Sequence, residues 1–393
     1  MKTRYDVVIV GGAIYGASVA FHLAKDPDFD GSVLVVERDP TYAFASTSHT
    51  NSCIRQQFSE ALNVQISQYG AAYVQDFRAR SGMEDAPPLR LHSFGYMYLA
   101  DTPAFAAALK ANQQVQAALG AGTRHMTPDQ IAAAYPFYNL DGILAGNHNT
   151  VNEGYFDGGS LFDWWKRGAK RAGVTFVTDE VTSMTRNGDR VTAIQLKSGA
   201  EVSCDWVVNA SGPRAARTAA MAGITLPVEP RKRYTFVFQA AEPLDRDLPL
   251  TVDPSGVHVR TDGAYYMAGG YPDHDPAVEP DDFAFDNGLW EDKIWPAIAT
   301  RIPAFERVKV INQWVGHYAY NTLDQNAVVG PHPQVANFIF VNGFSGHGLQ
   351  QSPALGRGMA EWITHGAYRT LDLSPLGYAR IAANRPIVEK AII

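Results

Sequence analysis

Cysteine is nearly absent. Cys53 and Cys204 are the only two in 393 residues. Two cannot build a disulfide framework, and their separation fits no cysteine-based metal site. No metal is expected, and a reducing compartment is: the cytoplasm, with a membrane-peripheral location as the alternative. Positive charge is also scarce. The 33 Lys and Arg against 40 Asp and Glu leave a net charge of −7, which argues against nucleic acid or anionic lipid as a main partner. The one dense basic run, Arg231-Lys232-Arg233, reads as a solvated strand end. Long apolar runs are missing too. Val7 to Leu23 is interrupted by Gly11, Gly12, Gly16 and His22 and is too short to span a bilayer, so no transmembrane segment is expected. No signal or transit segment is expected ahead of the first strand, which begins by Tyr5. There are no internal repeats, low-complexity tracts or obvious linkers.

What is present is an α/β pattern. Asp6–Val10 is a short apolar run of the buried parallel type, Gly11–Gly16 is a turn, and Ile14–Lys25 has helical periodicity. Ser32–Val36 is a second buried strand ending at Glu37, which completes a βαβ start. Helices are expected over Glu60–Arg80, Pro103–Leu119, Gly159–Ala172, near Trp290–Thr300 and over Leu355–Thr364. Another starts at "TPDQIAAAY", with Thr127 as N-cap, Pro128 at the first position and Gln130 at the third. Val174–Asn209 reads as strands separated by Asn187-Gly188 and Ser198-Gly199. Pro227–Val329 reads mostly as longer strands, and Phe338–Gly348 as strand and turn.

The first turn carries a chemical reading. A dinucleotide needs backbone N–H groups at a helix N-terminus, with little side chain in the way. The G-x-G-x-x-G fingerprint appears as Gly11, Ala13 and Gly16. Ala13 adds a methyl where the middle glycine belongs, which a negative φ tolerates. An acidic residue about 20 positions on should accept the ribose hydroxyls, and Glu37 stands there. A carboxylate at the ribose disfavours NADP. A tight turn without a ligand is the competing reading.

Four stretches, "VVIVGGAIYGASVAFHLA", "ASTSHTNSCIRQQFS", "WVVNASGP" and "NTLDQNAVVGPHP…GFSGHGLQQSPALGRGMAEWI", together resemble the FAD-dependent amine and amino-acid oxidases of the D-amino-acid oxidase superfamily, on the sarcosine oxidase and glycine oxidase side. "PVEPRKRY" and "LDLSP" resemble more closely a mitochondrial branch of FAD-dependent oxidoreductase-domain proteins linked to respiratory complex I assembly. The resemblance runs from about Tyr5 to the last residue. It implies a Rossmann-like FAD-binding domain of the glutathione-reductase type, interwoven with an α+β substrate domain built on an antiparallel sheet. The expected division is 1–82, 145–225 and 325–393 for FAD, and 83–144 and 226–324 for substrate.

The resemblance also assigns residues. Gly11, Gly12, Ala13, Ile14, Tyr15, Gly16, Glu37 and Arg38 match the nucleotide end. Ser46, Thr47, Ser48, Asn51, Ser52 and Cys53 match the loop over pyrophosphate and flavin edge. Val181, Ala210, Ser211 and Gly212 match segments touching adenine and ribose. Gly346, His347, Gly348, Leu349 and Gln350 match a second helix start, whose N–H groups stabilise charge at the reduced flavin. Arg55 matches the arginine that holds a substrate carboxylate, and Gln350 replaces the lysine that assists it in sarcosine oxidase. Tyr266 and Tyr320, with His317 and Tyr318, are expected in the pocket walls. No cysteine follows Cys204, so the C-terminal cysteine linkage of sarcosine-type relatives is impossible and FAD is expected to bind non-covalently. His49 is the remaining covalent route.

The implied reaction is oxidation of a C–N bond in a secondary amine or amino acid, by hydride transfer to flavin N5, to an imine that hydrolyses. No triad or carboxylate pair is needed, and none is assigned. The electron acceptor is oxygen, a quinone or a carrier protein. No lysine lies between Lys232 and Lys293, and Met267 takes the place of the oxygen-activating lysine, which favours quinone or carrier. The alternatives are a 2-hydroxy acid dehydrogenase of the same superfamily and an FAD-containing assembly or binding factor.

Overall fold

The structure, a computed structural model, describes residues 1–390; residues 391–393, inside the span expected for the FAD domain, lie outside the described residues. The chain opens with β1 (Arg4–Val10), α1 (Ile14–Lys25) and β2 (Val33–Glu37). β1 pairs in parallel with β2 on one side and with Glu201–Asn209 on the other. Its two faces alternate with period 2: Val7 and Ile9 enter one core, Val8 and Val10 the other. A strand buried on both faces has to be apolar throughout, which is why "VVIV" does not alternate. Thr175–Thr178 extends the sheet in parallel beyond β2. Past Glu201–Asn209 lie the hairpin strands Val181–Asn187 and Arg190–Leu196, and Phe338–Asn342 in parallel.

α1 packs against the Gly158–Arg171 and Gly348–His365 helices. The second contact is close: a Cβ at Gly356 would overlap the Ser18 hydroxyl, which donates to the Ser352 carbonyl at 2.8 Å. The Gly348–His365 helix starts at Gly348, not at Leu355 as the sequence suggests, and Pro353 lies inside it. Pro353 has no N–H for the Leu349 carbonyl. The Ser352 hydroxyl donates to that carbonyl instead, at 2.7 Å, so the turn survives.

The second sheet has eight strands, in the order Val308–Asn321, Val228–Ala240, Tyr265–Gly270, His258–Asp262, Leu250–Val252, Tyr96–Ala100, Ala145–Asn149, Arg124–Met126. All its neighbours are antiparallel except Leu250–Val252 with Tyr96–Ala100. Ala145–Asn149, at the edge of the expected FAD portion, hydrogen-bonds here to Tyr96–Ala100. Helices otherwise fall close to expectation. The Glu60–Arg80 stretch divides into Ala61–Gln75 and Phe77–Ser81, and Thr127 forms the capping box with Gln130. Among the described residues no helix is long and apolar enough to cross a membrane.

The longest pairing matters most for the site. Val228–Ala240 and Val308–Asn321 run antiparallel over their full length, setting Arg231 opposite Tyr318, Lys232 opposite His317 and Arg233 opposite Gly316. This ribbon reaches from the second sheet to the end of the first.

Candidate functional site

The first turn is built as its glycines require. Gly11 has φ +97°, and a Cβ there would lie 2.6 Å from the Ala210 carbonyl oxygen. A Cβ at Gly16 would overlap the Gly11 carbonyl oxygen. Ala13 has φ −70°, so its methyl carries no backbone strain. Glu37 is oriented by two backbone donors, Gly12 N–H at 2.8 Å and Asp39 N–H at 2.8 Å.

The second turn lies against the first. Gly346 has φ +99°, and a Cβ there would meet the Tyr318 ring at 2.5 Å. Tyr15, in the first turn of α1, donates its hydroxyl to the Gly348 carbonyl at 2.7 Å and stacks on Phe344 at 3.8 Å. Two helix N-termini more than 300 residues apart in sequence are thus joined directly.

Both turns line one cavity of about 610 Å³. Glu37, Arg38 and Val181 line it together with Gly346, Gly348 and Leu349, as do Gly11, Ala13, Ile14, Tyr15, Ser46, Thr47, Ala210, Ser211 and Gly212. A carboxylate, a glycine cradle and a second helix start along one trench fit an extended dinucleotide. Thr47 accepts from Ile14 N–H at 3.3 Å, and Ser46 donates to the His317 carbonyl at 2.6 Å, so this loop is pinned to both α1 and the long ribbon. His49 lines the cavity as well.

Other expected cofactor residues support the walls from behind. Gly12 and Gly16 shape the turn. Ser48 donates to the Tyr42 carbonyl, Asn51 bonds to His258 at 2.8 Å, and Ser52 takes φ +51°. Cys53 donates to the Asn51 carbonyl, and burial pushes its thiol up. It packs rather than faces the cavity.

The expected substrate residues divide. Arg55 is 1% exposed and does not line the cavity. It donates to the Gln57 carbonyl and to His347 Nε2 at 3.0 Å, and lies over Phe58 at 3.9 Å. Burial, then Arg55, hold His347 well below the usual imidazole range, so neutral His347 accepts that bond. Gln350 does not reach the cavity either: its amide oxygen accepts from Arg55 N–H at 2.8 Å. Glu153 backs this group, accepting from Gln56 N–H at 2.6 Å and Gln57 Nε2 at 2.9 Å, and burial raises its carboxyl to about 7. Tyr266 faces the hydrophobic core of the second sheet, packed on Phe238 and Phe305, with its hydroxyl accepting from Leu244 N–H. Strand alternation decides this. Met267 takes the other face, its sulfur 3.5 Å from Arg260 Nη2. Tyr320 lies under Arg231 at 3.9 Å and outside the cavity lining, whereas His317 and Tyr318 line it.

Sequence reasoning missed the basic run. Arg231, Lys232 and Arg233 are not solvated: their side chains are 21%, 14% and 13% exposed. Apart from Glu229, 3.3 Å from Arg231, their acidic partners come from the irregular segment between Gly270 and Trp290. Asp275 pairs with both arginines, Asp282 with Lys232 at 2.8 Å, and Asp281 with Arg214 and, at 3.3 Å, with Arg38. Pro280 and Asp281 line the cavity, and Phe283 stacks on His317 at 4.3 Å. The signal was available as alternating acidic residues in "YPDHDPAVEPDD", matched to a basic strand.

The chain is similar to several known proteins. FAD-dependent oxidoreductase domain-containing protein 1 of Xenopus laevis is 38% identical over 99% of this chain and 85% of that protein. Human mitochondrial dimethylglycine dehydrogenase is 26% identical over 96% of this chain, which spans 45% of that longer protein. Among solved structures, L-proline dehydrogenase from P. horikoshii superposes with a TM-score of 0.85 at 23% identity, covering 98% of this chain and all of that one. Glycine oxidase from Geobacillus kaustophilus gives 0.78 at 21%, covering 96% and 98%; both share the fold. Residues 6–362 match the family described as FAD dependent oxidoreductase, and the chain belongs to that family: it is an FAD-dependent oxidoreductase.

Proposed function

We propose that this oxidoreductase oxidises a C–N bond in a secondary amine or amino acid carrying a carboxylate, an N-substituted amino acid above all. The observation that carries the reading is the single trench that both glycine turns line, together with Tyr318 and Arg233. When bound, FAD supplies the two-electron acceptor for the hydride leaving the carbon next to nitrogen. The nitrogen lone pair forms the C=N bond as that hydride leaves, and water then splits the imine into a carbonyl compound and an amine. The chain's own part is positioning. The Gly348 helix start points free N–H groups at the end of the trench where negative charge develops. The Tyr15 bond to Gly348 fixes that start against α1.

Non-covalent binding is part of the proposal: Cys53 is bonded behind the wall, and His49, which lines the cavity, has its Nδ1 on the Ala45 carbonyl at 3.1 Å. Met267 in place of a lysine supports transfer of electrons to a quinone or carrier protein rather than oxygen, and two unpaired cysteines suit the cytoplasm. The test is anaerobic mixing of the yellow protein with N-alkyl amino acids, D-amino acids and 2-hydroxy acids. Loss of the flavin absorbance band with N-alkyl amino acids is the expected result. Bleaching by hydroxy acids alone, or by nothing in the panel, contradicts it.

A further inference from the structure

We propose that Arg233 is the carboxylate-binding residue of the substrate pocket, and that Asp275 holds its place until substrate arrives and then passes to Arg231. The inference rests on the amine-oxidation reading and deepens it.

Arg233 lines the trench beside Tyr318 and Gly346. Its guanidinium is held between two rings, Tyr271 at 4.3 Å and Tyr318 at 4.7 Å, which fixes the plane of its fork. Asp275 meets that fork with both oxygens, at 2.8 and 3.0 Å, as a substrate carboxylate would. The same carboxylate lies 3.5 Å from Arg231. Two guanidiniums therefore share one carboxylate. Arg231's other partner, Glu229, sits at 3.3 Å and is 42% exposed, so water screens that pair. The Nε atoms of Arg231 and Arg233 are both buried without a hydrogen-bond partner. Of the two arginines only Arg233 lines the trench, so its share of Asp275 is the one that a ligand there would take over.

The exchange is short. Asp275 belongs to a segment outside any helix or strand, tied to the ribbon three residues on by Val278 N–H to the Pro230 carbonyl at 2.9 Å, and it already lies beside the arginine that would receive it. After the exchange Arg231 has Asp275 beside the exposed Glu229, and Arg233 has the substrate. Arg55, in contrast, does not line the trench: its guanidinium bonds Gln57 and His347, and it serves as a support behind the second turn.

The test uses the FAD-loaded full chain and follows the flavin absorbance during titration with acetate and propionate, with acetamide as the uncharged control. Acetate and propionate should give a saturable shift that acetamide does not. Arg233→Gln should weaken it at least tenfold with flavin content unchanged. Asp275→Asn removes the competing carboxylate and should tighten acetate binding several-fold, an effect that a merely structural residue would not produce. Unchanged affinity in Arg233→Gln, no tightening in Asp275→Asn, or no response to carboxylates in the unaltered protein each overturns the proposal. Failure of the amine-oxidation reading looks different: carboxylates bind with this pattern, yet no amine bleaches the flavin.

Discussion

The two glycine turns line one cavity with different tolerances. At the first, the obstacles are backbone: the Gly11 carbonyl against Gly16, and the Ala210 carbonyl against Gly11. Neither can move without shifting a sheet strand. At the second, the obstacle to Gly346 is the ring of Tyr318, together with a positive φ. A turn hemmed in by backbone accepts only glycine, whereas one covered by a side chain can adjust at a cost. The first turn is therefore the rigid anchor and the second the tunable one.

Breaking the anchor should have the largest effect. Gly16→Ala forces β1 and α1 apart, at a cost of about 3 kcal/mol or more. The expected outcome is little folded, flavin-loaded protein, read by yield and flavin-to-protein ratio. Gly346→Ala should cost less, about 1–3 kcal/mol. It should keep the nucleotide end bound while shifting the flavin spectrum and reduction potential. If it loses flavin as completely as Gly16→Ala, the two turns are equally rigid and the contrast fails. Tyr15→Phe removes the bond that joins them, worth about 1 kcal/mol. It should lower the thermal midpoint slightly and alter flavin affinity more than nucleotide affinity.

The smallest effect concerns the support behind the second turn. Glu153 has its carboxyl raised by burial from the usual 4.5 to about 7. As pH rises, the unfolded chain ionises first while the folded chain keeps its proton. Glu153 thus subtracts stability progressively between about pH 4.5 and 7 and levels off above that. Glu153→Gln cannot ionise, so its melting temperature should fall less across that window than that of the unaltered protein. Parallel curves would remove Glu153 as the source.

What the sequence made legible follows the same contrast. The first turn could be read because strand, glycines and Glu37 are local and their spacing is set by backbone geometry. The second turn needed the resemblance, since Gly343–Gly348 alone is only a turn before a helix. The start of its helix stayed hidden because Pro353 looks like a breaker, and the Ser352 hydroxyl that replaces the missing donor is visible only in three dimensions. Tyr266 was misplaced although the signal was present: with Met267 on one face of a strand, Tyr266 has to take the other. The Arg231–Arg233 run was misread because a charge run looks solvated until its partners are known, and Asp275 lies in an irregular segment some 40 positions on, with no periodicity to link them.

The central claim is that one FAD molecule is held by both turns at once. Titrating flavin-free protein with FAD, ADP and FMN in parallel tests it most directly. Two linked half-sites should bind the whole ligand about 100-fold or more tighter than either half. ADP binding as tightly as FAD would mean that the second turn contributes nothing to holding the cofactor, and the account would fall.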